Sequence, residues 1–199
     1  QIGDDCEALS NPTLVGNLLF FDPFTTSSSM WTKESGNWAV SGDAATGSGN
    51  TLGYGNYYLD SPTLPAHGYS VETTFYFTSD PGDLDFNPYA AVVFGWKMDG
   101  PFGALSDAWA CAWKRREKKL SMLQFETTGW SEKASNSVTS NAGNNQWRRL
   151  RADVSAGGIT CSYTDETSTS PPVVINYSNA SATNGKVGLR INDTSAVFT

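Results

Sequence analysis

The sequence predicts an all-β, two-sheet antiparallel sandwich, on three observations. Apolar and aromatic residues recur at every second position in segment after segment, each ended by Gly, Asn, Asp or Pro. No stretch long enough for a helix repeats apolar positions at a helical period. The chain has 199 residues, the upper end of what one sandwich uses, so a single domain can bury most of the surface that its unfolded form exposes.

The alternation predicts strands over residues 18–24, 37–40, 57–60, 69–78, 89–97, 108–115, 119–127, 146–155, 158–164, 172–177, 186–191 and 195–199. Residues 1–17 form a lead segment, an extra edge strand or a donor strand, ahead of the sandwich at 18–199. Inward faces follow from parity: Val71, Thr73, Phe75 and Phe77; Leu150, Ala152 and Val154; Ile159, Cys161 and Tyr163; Val187, Leu189 and Ile191. Between 146 and 164, Arg148, Arg149, Arg151 and Asp153 interleave with the apolar set. Ala156-Gly157-Gly158 supplies a turn, so this is a hairpin with one wet face. The longer pieces 25–36, 42–55, 79–88, 98–107 and 129–145 read as loops, which gather at the ends of sandwiches, where binding resides.

Lys and Arg total 13 against 20 for Asp and Glu, a formal net charge of −7. A polyanion meets repulsion over such a surface, so nucleic acid is not an expected partner. The basic run Lys114-Arg115-Arg116 with Lys118-Lys119 flanks Glu117 between two apolar segments and reads as the polar connection of a hairpin. No run approaches the roughly 18–20 apolar residues of a membrane span, and no membrane insertion is expected. The chain begins at Gln1 with no Met and no charged-then-apolar leader, as a mature chain does, which makes a secreted, extracellular or cell-surface location the expectation.

Cys6, Cys111 and Cys161 lack C-x-x-C spacing and the sole histidine is His67, which argues against zinc. Cys111 and Cys161 each lie within a strand at matching alternation, as buried thiols or as a disulfide across the sandwich. The odd count leaves Cys6 free or linked to another chain. Sequons at Asn176, Asn179 and Asn192 crowd the last quarter of the chain and, with two Ser/Thr-rich runs, point to a glycoprotein.

Aromatic residues carry the main binding clue, because pyranose rings stack on Trp and Tyr faces while amides and charges read the hydroxyls. Trp109-Ala110-Cys111-Ala112-Trp113 sets two tryptophans on one face of one strand. If that face is the inner one, they are core. If it is the concave outer one, Trp109, Trp113, Arg115, Gln124 and Trp130 make a sugar platform. His67 sits in the turn Leu64-Pro65-Ala66-His67-Gly68, and no G-x-S-x-G elbow is present, which argues against a nucleophilic hydrolase.

Phe20-Phe21-Asp22-Pro23-Phe24, then Trp31, then Gly36-Asn37-Trp38-Ala39-Val40-Ser41-Gly42 resembles the opening F-x-D-x-F, W, G-x-W-x-V-x-G of laminin-G-like domains of the concanavalin superfamily. Tyr69-Ser70-Val71-Glu72-Thr73-Thr74-Phe75, the strand from Gln146 to Val154, and Gly185-Lys186-Val187-Gly188-Leu189-Arg190 resemble the later strands of that family. The resemblance spans nearly the whole chain and implies a concanavalin/laminin-G-like jelly roll, with Trp31, Trp38 and Trp147 at positions that pack. It further implies a carbohydrate-binding or adhesion module, or in some branches a glycoside hydrolase or polysaccharide lyase.

Retaining glycosidases of this fold place carboxylates as E-x-D-x-E on one strand, so that both reach one sugar from the same face. That pattern is missing, with Asp83-Leu84-Asp85 the nearest match, and no enzyme is expected. Calcium at the edge of related sandwiches makes Asp22 the leading candidate ligand and Asp193 the second, structural Ca2+ being the one cofactor in view. The alternative is a turn aspartate bonded to its own backbone. The family's last strand runs on beyond a sequence like Ser195-Ala196-Val197-Phe198-Thr199, so an unfinished sheet edge is expected here, completed by further residues or by a neighbour's strand. This edge favours a non-catalytic structural subunit of a surface filament or matrix, self-associating or joined to other extracellular proteins. Glycan binding is the alternative.

Overall fold

Each alternating segment has one apolar face to remove from water, and two sheets stacked face to face remove both sets at once. The computed structural model describes residues 21–25, 30–49, 53–60, 62–78, 87–98, 107–126, 129–139, 143–178 and 183–199. Among them there is no helix, and the strands are β1 (Trp31–Ser35), β2 (Asn37–Val40), β3 (Ala45–Ser48), β4 (Tyr54–Leu59), β5 (Tyr69–Phe77), β6 (Tyr89–Lys97), β7 (Asp107–Lys114), β8 (Lys119–Glu126), β9 (Gly129–Ser137), β10 (Arg148–Ser155), β11 (Gly158–Asp165), β12 (Val173–Tyr177), β13 (Lys186–Asn192) and β14 (Ser195–Phe198). All pairings are antiparallel. The front sheet runs β1-β4-β13-β6-β7-β8-β9 and the back sheet β12-β11-β10-β5-β14-β3-β2.

The predicted inward residues are buried, apart from Val187, which packs at the margin of the core. Trp109, Trp113, Leu120 and Met122 of the front sheet meet Phe75, Phe77, Leu150, Tyr163 and Phe198 of the back one. The predicted hairpin is β10–β11, in register from Arg148 opposite Asp165 to Ser155 opposite Gly158. Its wet face carries Arg149, Arg151 and Asp153, as alternation requires. Arg148 departs from that reading: it shares parity with Leu150, points inward and is fully buried. Its guanidinium closes one end of the core by donating to the carbonyls of Gln146 at 2.7 Å and Gly143 at 2.9 Å.

Three strands lie where loops were expected. Among the described residues β1 and β9 are the edge strands of the front sheet, each hydrogen-bonded along one side, and their mostly polar residues display no alternation. β3 is short and small. Gly47 within it gives room to the Trp38 ring, whose nearest atom lies 2.5 Å from where a Cβ would stand. Residues 21–24, expected as strand, form none. The lead segment 1–17, residues 18–20, Cys6, Asp83, Asp85 and Asn179 lie outside the described residues.

The expectation of an unfinished final edge is overturned. β14 is an interior strand of the back sheet, paired on one side with β5 and on the other with β3. Thr199 exchanges backbone hydrogen bonds with Thr74, 2.9 and 3.0 Å.

Cys111 of β7 and Cys161 of β11 are joined by a disulfide that ties the front sheet to the back one, with Cα atoms 5.8 Å apart and a sequence separation of 50. Closing a loop of this size restricts the unfolded chain by about 4 kcal/mol. Reduction, or the Cys111→Ala/Cys161→Ala pair, should therefore lower the unfolding free energy by about 2–4 kcal/mol in chemical denaturation followed by tryptophan fluorescence. An unchanged midpoint would contradict this account.

Candidate functional site

On β7 large and small residues alternate. Trp109, Cys111 and Trp113 go into the core, so Ala108, Ala110 and Ala112 face outward, and all three alanines are nonetheless without exposure. An outward alanine is sealed only when larger neighbours lean over it. The register names them. One row across the outer face reads Asn56, Arg190, Ala91, Ala112, Ser121 and Ser135. The next contains Tyr58, Gly188, Val93, Ala110, Leu123 and Glu132.

Arg190 governs this face. Its side chain is only 6% exposed, and it donates from Nε to the Tyr89 hydroxyl at 2.7 Å and from Nη1 to Asn56 Oδ1 at 2.6 Å. The rings of Tyr54, Trp130 and Tyr89 surround the guanidinium, their centroids 5.1, 5.2 and 5.8 Å away. Such a cage supplies cation–π attraction in place of lost hydration. Trp130 belongs to β9 and Arg190 to β13, four steps along the sheet and so about 19 Å apart if it were flat. Their contact shows that the front sheet curls about the alanine floor. The outer face is concave.

A bulge shapes one end of this surface. Gly95, at φ +63°, adds a residue to β6 where its register with β7 and β13 shifts. Parity alone would send Trp96 inward with Phe94; the bulge turns it outward, where it meets Tyr58 at 5.3 Å. Gly188 lies beneath, and a Cβ there would come within 3.1 Å of the Trp96 ring. Beside it opens a groove of about 580 Å³ whose lining includes Met98, Lys97, Lys186 and Asn184. Lys186 lies over the Tyr58 ring at 4.6 Å and pairs with Asp60 at 2.8 Å.

At the other side of the floor stands Glu132, which accepts from Lys114 Nζ at 2.6 Å and from Ser121 Oγ at 2.8 Å. Burial pushes its carboxyl up, but the donors Lys114, Ser135 and Ser121, together with the Lys114 charge, outweigh burial and hold it down at about 2.

The structure redistributes the residues proposed from sequence. Trp109 and Trp113 are core, wholly buried, and cannot meet a ligand. Gln124 stands opposite Trp109 on the inner register, and Arg115 lies over the core ring of Phe77 at 5.3 Å. Of the five platform residues only Trp130 faces the concavity. Trp31 and Trp38 pack as expected, both stacked on Tyr57. Trp147 does not: it is 38% exposed, edge-on to Tyr76 at 4.6 Å. His67 is exposed in the turn before β5. Asn176 is exposed on edge strand β12 and accepts from Thr160 Oγ1 at 2.7 Å. Asn192 is half-buried and gives its amide to the Asp193 carboxylate and the Asn87 carbonyl.

Asp22 makes a turn: Oδ1 accepts from the Phe24 amide at 2.8 Å and Oδ2 from Trp31 Nε1 at 2.7 Å. Among the described residues no three His, Cys, Asp or Glu gather where they could hold a metal ion. The groups that sequence reading passed over are Arg190, Asn56, Tyr54 and Tyr89. The outward parity of Arg190 was available from the inward Leu189 and Ile191, and the isolated Gly95 within an apolar strand was the signal for the bulge.

Because the folded Glu132 carboxyl titrates below its ordinary 4.5, the stability it contributes is complete above that pH and is lost as pH falls towards 2. Glu132→Gln should lower stability at neutral pH and flatten the loss across that window in acid titrations followed by circular dichroism. Superimposable acid limbs for the two proteins would contradict the assignment.

No protein family's sequence profile and no curated protein matches the chain. Solved structures match it in fold. The carbohydrate-binding module CBM66 from Bacillus subtilis superposes with a TM-score of 0.66 at 17% identity, over 85% of this chain and 92% of that one. Lectin II from Ulex europaeus does so at 0.58 and 12% identity, over 90% and 96%. The exoplasmic/lumenal domain of VIP36, in a form bound to Ca2+ and Man2, gives 0.56 and 14% identity, over 89% and 85%. At such identities the likeness is one of fold: with two seven-stranded antiparallel sheets among the described residues, the chain is a jelly-roll β-sandwich.

Proposed function

We propose that the chain is a non-catalytic carbohydrate-binding module that takes its glycan on the concave face of the front sheet. The observation that carries this reading is the composition of that face. Partly exposed rings of Tyr54, Tyr58 and Trp130 border buried polar groups of Asn56, Ser121 and Arg190. Rings to stack a pyranose and a few fixed donors and acceptors to orient it are what a sugar site requires. The neighbours in fold support it, since CBM66 is a carbohydrate-binding module, the Ulex protein is a lectin and the VIP36 domain is known in a Man2-bound form.

A glycosidase needs one carboxyl raised towards working pH as a general acid. Glu132, the carboxylate nearest the alanine floor in register, is held low by Lys114 instead, which favours binding over bond cleavage. The disulfide between the sheets fits an oxidising, extracellular or cell-surface setting, and the exposed sequon at Asn176 is compatible with a glycoprotein there. Filament assembly was motivated by an unfinished final strand, and β14 is enclosed by β3 and β5.

Trp130→Ala should weaken binding of whichever glycans an array identifies by about tenfold, equivalent to roughly 1.4 kcal/mol. Trp113→Ala should instead cost about 3–5 kcal/mol of stability, because its ring fills the core beside Tyr163. Isothermal titration and denaturant unfolding of the two variants separate these effects. A broad array without a hit, or full affinity in Trp130→Ala, would overturn the reading.

A further inference from the structure

Arg190 is a buried cation that, among the described residues, has no carboxylate in hydrogen-bond or ion-pair contact. Removing a guanidinium from water is expensive unless a carboxylate pairs with it, yet its two hydrogen-bond partners, Tyr89 and Asn56, are neutral. Neighbouring carboxylates are engaged elsewhere. Glu132 holds Lys114, Asp60 holds Lys186, Glu34 accepts from Asn56 Nδ2 at 2.7 Å, and Asp193 takes the amide of Asn192 and acts on Arg190 only through space, without a direct contact. Among the described residues Nη2 of Arg190 has no hydrogen-bond partner. No atom of Arg190 is among the sealed side-chain polar atoms that lack a partner, so this nitrogen still reaches solvent.

Resting on the carbohydrate reading, we infer that the glycan bears a carboxylate, as an acidic sugar residue, and that this carboxylate pairs with Arg190 between the rings of Tyr54 and Trp130. The pairing is charge-assisted and supplies the missing counter-ion at the point where the cage is open. An acidic sugar also has the right second half: a pyranose face to lie against an indole while its carboxylate meets the guanidinium. The net charge of −7 narrows the class further. It repels densely charged polymers, so the ligand is a largely neutral oligosaccharide carrying an isolated uronic or comparable acid.

The test uses the intact, disulfide-bonded protein and matched ligands: oligosaccharides carrying one glucuronate, galacturonate or sialate, and the same compounds with the carboxyl reduced to the alcohol. At low salt, at least one acid form should bind about 10- to 100-fold more tightly than its reduced partner, and the ratio should fall towards one in Arg190→Gln and in Arg190→Lys. Lys keeps the charge but loses the planar fork and its stacking. Should Arg190→Gln fail to fold, the acid-to-reduced ratio on the unaltered protein still decides. Equal affinity for acid and reduced forms would overturn the inference and leave the carbohydrate reading standing. Binding only to sugars that carry no acid would do the same. A protein that binds no sugar of either kind would overturn both.

Discussion

The parity of β7 is the constraint from which the rest follows. Side chains on a strand alternate, so placing Trp109, Cys111 and Trp113 on one face puts Ala108, Ala110 and Ala112 on the other, ahead of Lys114 at its end. The large set fills the core and supplies the disulfide that ties the sheets together. The small set leaves the centre of the outer face without bulk. A sheet with large side chains on its inner side and methyl groups on its outer side can curl outward, and the contact of Trp130 with Arg190 across the floor records that curvature.

The concavity concentrates what the rest of the surface disperses. On the outer face of the back sheet the charges are partly exposed and already paired, Arg151 with Asp153 at 2.6 Å and Arg149 with Glu166 at 2.8 Å. Pairs of this kind are each worth about 1 kcal/mol or less and leave little demand for a ligand. On the front sheet the comparable cation is buried against neutral partners. The same residue type thus has different consequences on the two faces, and the difference is one of solvent access rather than of sequence.

Stability and binding are also carried by different tryptophans. Trp109 and Trp113 have no exposure; their loss removes packing. Trp130 is partly exposed at the sheet margin, packed edge-on against Phe125 at 5.6 Å, and presents a ring that a sugar can share with Arg190. Trp96 is intermediate in kind, outward by virtue of the Gly95 bulge yet covered, so that it stiffens the end of the concave face.

By itself the sequence determined the fold class, the β10–β11 hairpin, the turn carrying Arg116 and Glu117, and nearly all of the inward set, because a two-residue period and Gly or Asn breaks are local properties of the chain. It also paired Cys111 with Cys161 as one of two readings. Tertiary structure decided what depends on which segments meet. Edge strands such as β9 carry no alternation and read as loop. Parity names which residues of a strand share a face but not which face is inside, so the same alternation that read Trp109 and Trp113 as either core or platform could not choose. The placement of β14 between β3 and β5 is set by partners more than a hundred residues earlier, and the cage around Arg190 is assembled from four strands. Contacts at that separation arise only when the sheets close, and no local pattern records them.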